Sequence, residues 1–232
     1  MAQMKTPGVY IIEKNAFPNS VVEVATAIPA FIGHTQFARD GNKDLTGIPF
    51  RISSMAEFHS FFGFAPTLRF GIRPEDSESE DTTNDINVLF PDGSCQLTLP
   101  KTFYALYYNM LLFYANGGGP CYIVSVGDYE HDFKSIDFTN ALLALKKEQE
   151  PTLVVVPEAV YMEEGDCYKV QTAALMHCGN DMKNRFAILD VFNGYKDENG
   201  AIIKNFRENI GNNFLAYCAS YYPWINTSIV TE

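Results

Sequence analysis

The sequence predicts an α/β fold, a mostly parallel or mixed sheet flanked by helices, with an extended N-terminal arm and an inserted acidic loop region. From residue 101 onward, apolar residues at helical spacing alternate with short, almost continuous apolar segments. Such continuous segments are typical of strands that are buried on both faces, as in parallel sheets. A regular alternation of helices and strands favours parallel strands joined by helical crossovers.

The first buried strand is expected at residues 27–35, an apolar segment that closes on Gly33. Residues 36–50 are polar with glycine and proline, and we expect a loop there. Ser53 and Ser54 followed by Glu57 indicate a capped helix start. One face of that helix would carry Met55, Phe58, Phe61 and Phe62, and Gly63 would end it.

The later elements follow from the same patterns of spacing. Helices are expected at 101–116, at 138–148 with Asp137 as the cap, at 163–182 and at 203–213. Strands are expected at 121–126, 152–157, 185–191 and 214–221. The domain organisation we expect is an arm at 1–26 and one α/β body at 27–232, with an inserted excursion at 65–100.

Composition excludes several classes of protein. Hydrophobic residues make up 47% and aromatic residues 14% of the chain, enough to build a core, so the chain as a whole is not disordered. The formal net charge of −11 leaves no basic footprint for nucleic acid. Six acids and no base lie in residues 74–85, and without that segment the charge is −5.

Membrane insertion and secretion have no support in the sequence. No segment approaches the roughly 18–20 apolar residues that a membrane span needs. The first residues do not resemble a secretory signal. The five cysteines are scattered without a CxxC pair, which favours reduced thiols and folding in a cytoplasmic compartment.

The arm at residues 1–26 contains two short apolar segments without a nearby hairpin partner. A frayed terminus or an ordinary edge strand would give this pattern. The alternative is an arm that lends a strand to a neighbouring subunit by β-augmentation. On that interpretation the inter-subunit residues are Pro7, Gly8, Val9, Tyr10, Ile11, Ile12, Val21, Val22 and Val24.

Two further features invite a site but favour structural roles. The glycines of residues 116–120 follow a helix and precede a strand, the reverse of a phosphate-binding loop, so they are expected to end the helix. His177 and Cys178 have only Cys167 as a nearby candidate ligand, whereas zinc sites usually show paired ligands. Core packing is therefore expected at Cys178, as it is for Cys121 and Cys218.

Isolated acids and histidines give little support for catalysis. Glu163, Glu164 and Asp166 would complement a helix dipole rather than hold a cation. His34 is the best single candidate for a general base, but we expect it to bond a loop carbonyl. The sequence thus predicts no catalytic, cofactor or metal site, and no enzyme.

An ordered series of short motifs resembles the tail sheath proteins of contractile phage tails and related extracellular contractile injection systems. The motifs are Lys5-Thr6-Pro7-Gly8-Val9-Tyr10, Thr26-Ala27-Ile28-Pro29-Ala30-Phe31-Ile32-Gly33, Phe61-Phe62-Gly63, Phe113-Tyr114-Ala115-Asn116-Gly117-Gly118, Cys121-Tyr122-Ile123-Val124, Pro157-Glu158-Ala159, Arg185-Phe186-Ala187-Ile188-Leu189-Asp190 and Ala219-Ser220-Tyr221-Tyr222-Pro223-Trp224. Each is weak alone, and the series spans nearly the whole chain.

The resemblance implies a mechanical function. Sheath subunits of this family polymerise helically around an inner tube and contract to drive the tube into a target cell, and arms donate strands to neighbouring subunits. The implied partners are further copies or paralogues of the chain, the inner tube protein, and baseplate and cap proteins. The implied location is the bacterial cytoplasm during assembly, then a phage tail or a released or cell-bound particle.

The expected departure from the family is length. Family members continue after the Tyr-Tyr-Pro-Trp motif into a C-terminal domain that faces the tube, and this sequence stops soon after it. One alternative is therefore a baseplate or cap relative that does not contract. A second is an α/β enzyme with a small-molecule site at the carboxyl ends of its strands, with His34 and Asp190 as its candidate residues.

Overall fold

A computed structural model describes residues 27–68, 71–74, 85–90, 93–98, 102–196 and 200–229. Its strands are β1 (Pro29–Gly33), β2 (Arg39–Asp40), β3 (Lys43–Asp44), β4 (Phe50–Ile52), β5 (Gly71–Pro74), β6 (Asp85–Phe90), β7 (Gly93–Thr98), β8 (Cys121–Ser125), β9 (Leu153–Val155), β10 (Phe186–Asp190) and β11 (Cys218–Tyr221). Its α-helices are α1 (Met55–Phe62), α2 (Leu106–Ala115), α3 (Ser135–Leu145), α4 (Glu164–Met176) and α5 (Ala201–Ile210).

The central sheet has six strands in the order β11-β10-β9-β1-β8-β4. Neighbouring strands from β11 to β8 are parallel, and β4 pairs antiparallel with β8 at the edge. The predicted α/β class with a mostly parallel sheet is confirmed. Counted along the chain, the parallel strands lie in the order 2-1-3-4-5, which places the topological switch point between β1 and β9.

Helices cover both faces of this sheet, as the buried central strands require. Along β1 the side chains alternate: Ala30 and Ile32 face the cluster that includes α3, α4 and α5, and Phe31 faces the cluster that includes α1 and α2. Every residue of β1 and of β8 is buried. Strands with two buried faces have no polar side to alternate with, which explains their continuous apolar sequence.

The start of α1 has the predicted cap. The Ser54 hydroxyl accepts a hydrogen bond from the Glu57 N–H at 3.2 Å. The Glu57 carboxylate accepts bonds from the Ser53 N–H at 2.6 Å and the Ser53 hydroxyl at 2.9 Å. Phe58 and Phe62 are fully buried on the predicted face. The helix ends at Gly63, whose φ of 86° favours glycine.

Several predicted boundaries were wrong for local reasons. The expected loop at 36–50 contains the β2–β3 hairpin, and β4 begins at its end. These strands of two or three residues are too short to show periodicity. Helix α3 begins at Ser135, so Asp137 lies in the first turn and its N–H bonds to Lys134. Asp137 therefore favours the helix dipole but is not the cap.

Two more element starts differ from the prediction. Helix α2 begins at Leu106 rather than 101. The last strand begins at Cys218, because Phe214 adopts a left-handed conformation and Leu215–Tyr217 forms a 3₁₀ turn before it. Helix α4 runs on without a break into the π-helical turn His177–Met182, so the predicted helix at 163–182 is close to what is observed.

Within the predicted excursion, β5, β7 and β6 form a separate antiparallel sheet in that order. Pro74 and Asp85, expected at the two ends of an acidic loop, belong to β5 and β6. Residues 75–84 of that segment lie outside the described residues. So do residues 1–26, and with them every proposed arm residue from Pro7 to Val24.

Candidate functional site

The switch point between β1 and β9 is where open α/β sheets commonly bind ligands. His34 follows β1 directly, and Glu158 lies three residues after β9. The His34 imidazole Nδ1 lies 2.8 Å from Glu158 Oε2. The backbone N–H of His34 donates to the same oxygen at 2.9 Å. A histidine and a carboxylate thus meet at the position where open α/β sheets commonly bind ligands.

A third element is tied to the same carboxylate. The Leu106 N–H, at the start of α2, donates to Glu158 Oε1 at 3.3 Å. Gly33 makes this approach possible, since a Cβ there would lie 2.9 Å from Leu106 Cβ and 3.1 Å from Glu158 Cδ. Glu158 therefore joins the end of β1, the chain after β9 and the start of α2.

The pair is sealed from solvent. The side chains of His34 and Glu158 are 1% and 0% exposed. Three aromatic rings surround the imidazole, with centroids 5.0–5.7 Å from it, namely Tyr104, Phe133 and Phe138. Burial raises the pKa of the Glu158 carboxyl, and the hydrogen bonds from His34 and Leu106 oppose that rise.

A serine lies nearby but is engaged elsewhere. Ser125, the last residue of β8, places its Oγ 2.6 Å from Thr35 Oγ1 and 3.3 Å from the Gly127 carbonyl oxygen. The Thr35 N–H also donates to Gly127. Both hydroxyl side chains are buried. This hydrogen-bonding pattern joins the ends of β1 and β8, and it does not direct the serine toward His34 as a nucleophile–base pair would require.

Beside the closed switch point lies an apolar groove at the carboxyl ends of β9, β10 and β11. Its volume is about 700 Å³. The lining, here called the edge groove, consists of Phe103, Ala105, Tyr108, Asn109, Leu112, Pro157, Val160, Tyr161, Asp190, Tyr221, Tyr222, Pro223, Trp224, Ile225, Thr227 and Ile229. Among these residues only Asp190 carries a charge.

Trp224 fixes one wall of the edge groove. Its indole Nε1–H donates to the Val191 carbonyl at 2.9 Å, and its backbone N–H donates to Gly194 at 3.0 Å. A Cβ at Gly194 would lie 2.6 Å from the indole ring. Two hydrogen bonds and one close contact therefore hold the segment after β11 against the chain after β10.

The two residues of the enzyme hypothesis do not share a cavity. Asp190 lines the edge groove, whereas His34 is buried at the end of β1 with β9 between them. The expected partner of His34, a loop carbonyl, was wrong, because the imidazole bonds to the Glu158 carboxylate instead. The sequence placed both residues at strand ends correctly but could not show which of them faces solvent.

The helical histidine and cysteines have core roles. Cys167 and Cys178 are fully buried, and burial raises the pKa of each thiol to about 12. His177 Nε2 lies 2.9 Å from Arg185 Nη1. Burial and the guanidinium charge lower the pKa of His177 to about 4. Cys121 is buried as expected, but Cys218 is only half-buried.

The remaining candidates also have structural explanations. The predicted helix terminator at 116–120 is confirmed: Gly117 has a φ of 83°, its N–H bonds to Tyr114 and that of Gly118 bonds to Phe113, a Schellman motif. Asp166 bonds to Ser135 and Lys169 in the first turn of α4. Over the described residues, no cluster of three or more His, Cys, Asp or Glu side chains could hold a metal ion.

The sequence did not identify Glu158 and Arg185 as residues that connect several elements. Arg185 is 2% exposed and donates to the Leu145 and Glu148 carbonyls at the end of α3. In the sequence each is a charged residue near an apolar strand, and such residues are usually exposed. Only the tertiary structure shows that both are buried and that each has its own hydrogen-bond partners.

No protein-family model matches the chain, and no curated protein is significantly similar to it. None of the helices in the described part of the chain has the length and apolar character needed to cross a membrane.

Proposed function

We propose that this protein is a structural subunit of a contractile sheath, which polymerises helically around an inner tube and contracts to drive the tube into a target cell. The observation that carries the proposal is the buried His34–Glu158 pair, which fills the switch point where an α/β enzyme would bind its substrate. A switch point closed in this way ties the end of β1, the chain after β9 and the start of α2 together, which suits a subunit that transmits force.

The motif series that resembles sheath proteins supports the proposal through the roles its residues have. Gly33 and Glu158 belong to the buried junction of three elements. Gly117 and Gly118 end α2, and Trp224 anchors the chain after β11. These motif residues lie where helices and strands meet. Contacts at such positions keep the elements together in a subunit that moves as one rigid body.

The partners proposed with this function are further copies or paralogues of the chain, the inner tube, and baseplate and cap proteins. Assembly would take place in the bacterial cytoplasm, before the particle acts at or beyond the cell surface. Strand donation would come from the segment 1–26, which lies outside the described residues and is proposed on its sequence alone.

Deletion of residues 1–20 tests the proposal. We expect the body to keep its circular dichroism spectrum and cooperative melting, because its core lies within residues 28–210. We expect tubular assemblies to disappear in electron micrographs of cells that produce the particle. The matched control is Lys14→Ala, which leaves the apolar segments of the arm intact. Normal tubes from the deletion variant would contradict the role of the arm.

A further inference from the structure

The edge groove has the composition of a binding site. Sites of 300–1,000 Å³ lined by apolar and aromatic side chains, with a few polar groups, are typical of ligand recognition. The edge groove has a volume of about 700 Å³ and combines aromatic walls with the Asp190 carboxylate and the Asn109 amide. It also lies at the carboxyl ends of three parallel strands, where loops rather than core packing determine the surface.

Asp190 has an unusual position in this groove. Its backbone carbonyl accepts a hydrogen bond from the Gln171 amide at 2.7 Å. In the part of the chain that the structure describes, no hydrogen bond or ion pair engages its carboxylate. Burial raises the pKa of this carboxyl, and no cation among the described residues opposes the rise. A half-buried carboxylate without a partner would be stabilised by a cation that enters the groove.

An aromatic row provides a second feature that suits a cation. The ring of Phe103 lies 5.5 Å from that of Tyr108 and 5.0 Å from that of Tyr161. The Tyr161 ring lies 6.0 Å from that of Trp224. Aromatic faces attract ammonium and guanidinium groups and also pack against the apolar stems of lysine and arginine.

Part of the groove lining is apolar and exposed, which favours an elongated ligand. Tyr161 is 39% exposed, Tyr221 62% and Ile225 81%. Exposed apolar residues grouped along a concave surface mark a contact for another macromolecule. A small free amine would leave these residues uncovered, whereas an extended polypeptide with apolar neighbours around one basic residue would cover them.

We propose that the edge groove binds an extended segment of a partner protein that places a lysine or arginine side chain against the Asp190 carboxylate. This binding does not depend on the sheath function, because its test measures peptide binding and not assembly. Trp224 is the chain's single tryptophan and lines the groove, so its fluorescence reports binding there directly.

The test uses the full chain and pools of acetylated, amidated pentapeptides. In two pools the central residue is Lys or Arg, and in the third it is norleucine, which is apolar and similar in length to lysine. Alanine, valine, leucine or phenylalanine occupies the flanking positions. We expect a saturable change in Trp224 emission, with the basic pools binding at least fivefold more tightly than the norleucine pool.

Charge removal at Asp190 provides the decisive variant. In Asp190→Asn the preference for the basic pools should disappear, and in Glu208→Gln, which removes an exposed charge outside the groove lining, it should persist. Should Asp190→Asn fail to fold, the comparison of pools on the unmodified chain remains the test. Absence of binding, equal binding of the basic and norleucine pools, or a preference that survives Asp190→Asn would overturn the proposal. So would n-butylammonium binding as tightly as the basic pools, since it would indicate a small free amine as the ligand.

Discussion

The imidazole Nδ1 of His34 and the carboxylate Oε2 of Glu158 lie 2.8 Å apart, although the two residues are 124 positions apart in the sequence. Strand β1 and the chain after β9 bring them together at the switch point of the sheet. Buried polar groups need hydrogen-bond partners, and Glu158 obtains them from His34 and from the start of α2. The pair thus makes the ends of three elements depend on one another.

Glu158→Ala is expected to destabilise the protein strongly. It removes the acceptor for two backbone N–H groups and leaves a buried histidine without its carboxylate. A buried polar group left without its partner costs about 1–3 kcal/mol, and three groups lose theirs here, so we expect a loss of about 3–5 kcal/mol. Urea denaturation at pH 7 measures the change in the free energy of unfolding. Glu130→Ala is the control, because Glu130 is exposed and its loss should change stability by less than about 0.5 kcal/mol. A loss below about 1 kcal/mol for Glu158→Ala would show that the pair does not organise the junction.

Gly33→Ala tests the close approach of the same elements. The added Cβ would lie 2.9 Å from Leu106 Cβ and 3.1 Å from Glu158 Cδ, so α2 or the carboxylate has to shift. We expect a loss of about 1–3 kcal/mol, typical of overpacking in a core. Gly119→Ala is the matched control, since a Cβ there meets nothing within 4 Å. Equal melting temperatures of the two variants would show that β1, α2 and Glu158 are not closely packed at this position.

His177 predicts a pH dependence of stability. Its pKa is about 4 in the folded protein and about 6.5 when exposed, so between these values the unfolded chain binds more protons. Stability should therefore be complete above pH 6.5 and fall by about 3 kcal/mol as the pH drops to 4. In His177→Gln, which keeps an acceptor for Arg185, this part of the loss should be absent. If the free energy of unfolding fell equally with pH in the two proteins, His177 would not be the source of the loss.

Gly194→Ala tests the anchoring of the chain after β11. A Cβ would lie 2.6 Å from the Trp224 indole and 2.8 Å from the Val191 carbonyl that the indole bonds. We expect the indole to move out toward water, with a red shift of tryptophan emission and loss of a hydrogen bond worth about 1 kcal/mol. Gly165→Ala, on a helix with open space around it, should leave the emission unchanged. An unshifted spectrum in Gly194→Ala would contradict the anchor.

The fold class could be predicted because the strands are buried on two faces and therefore apolar throughout. Strands β1 and β8 illustrate this, since all their residues are buried and both were expected in place. Strand β4 was missed, because its three residues include the exposed Arg51 and show no pattern. Short edge strands depend on a neighbour that sequence spacing does not reveal.

The buried pair at the switch point and the edge groove could be predicted only in part. His34 was singled out because it follows an apolar strand, but its partner was not. Glu158 and Arg185 are charged residues that the tertiary structure buries, and single-sequence patterns assign such residues to the surface. Asp190 was placed at a strand end, while the groove around it is formed by distant residues such as Phe103 and Trp224.

Electron microscopy with a gold-labelled antibody raised against this chain tests whether it is a sheath subunit. Particles would be purified from cells that carry the native gene and labelled before imaging. We expect contractile tubes labelled along their whole length, since every sheath subunit would display the body. Label confined to tube ends would indicate a baseplate or cap protein, and a labelled fraction without any tubular assembly would contradict the sheath function.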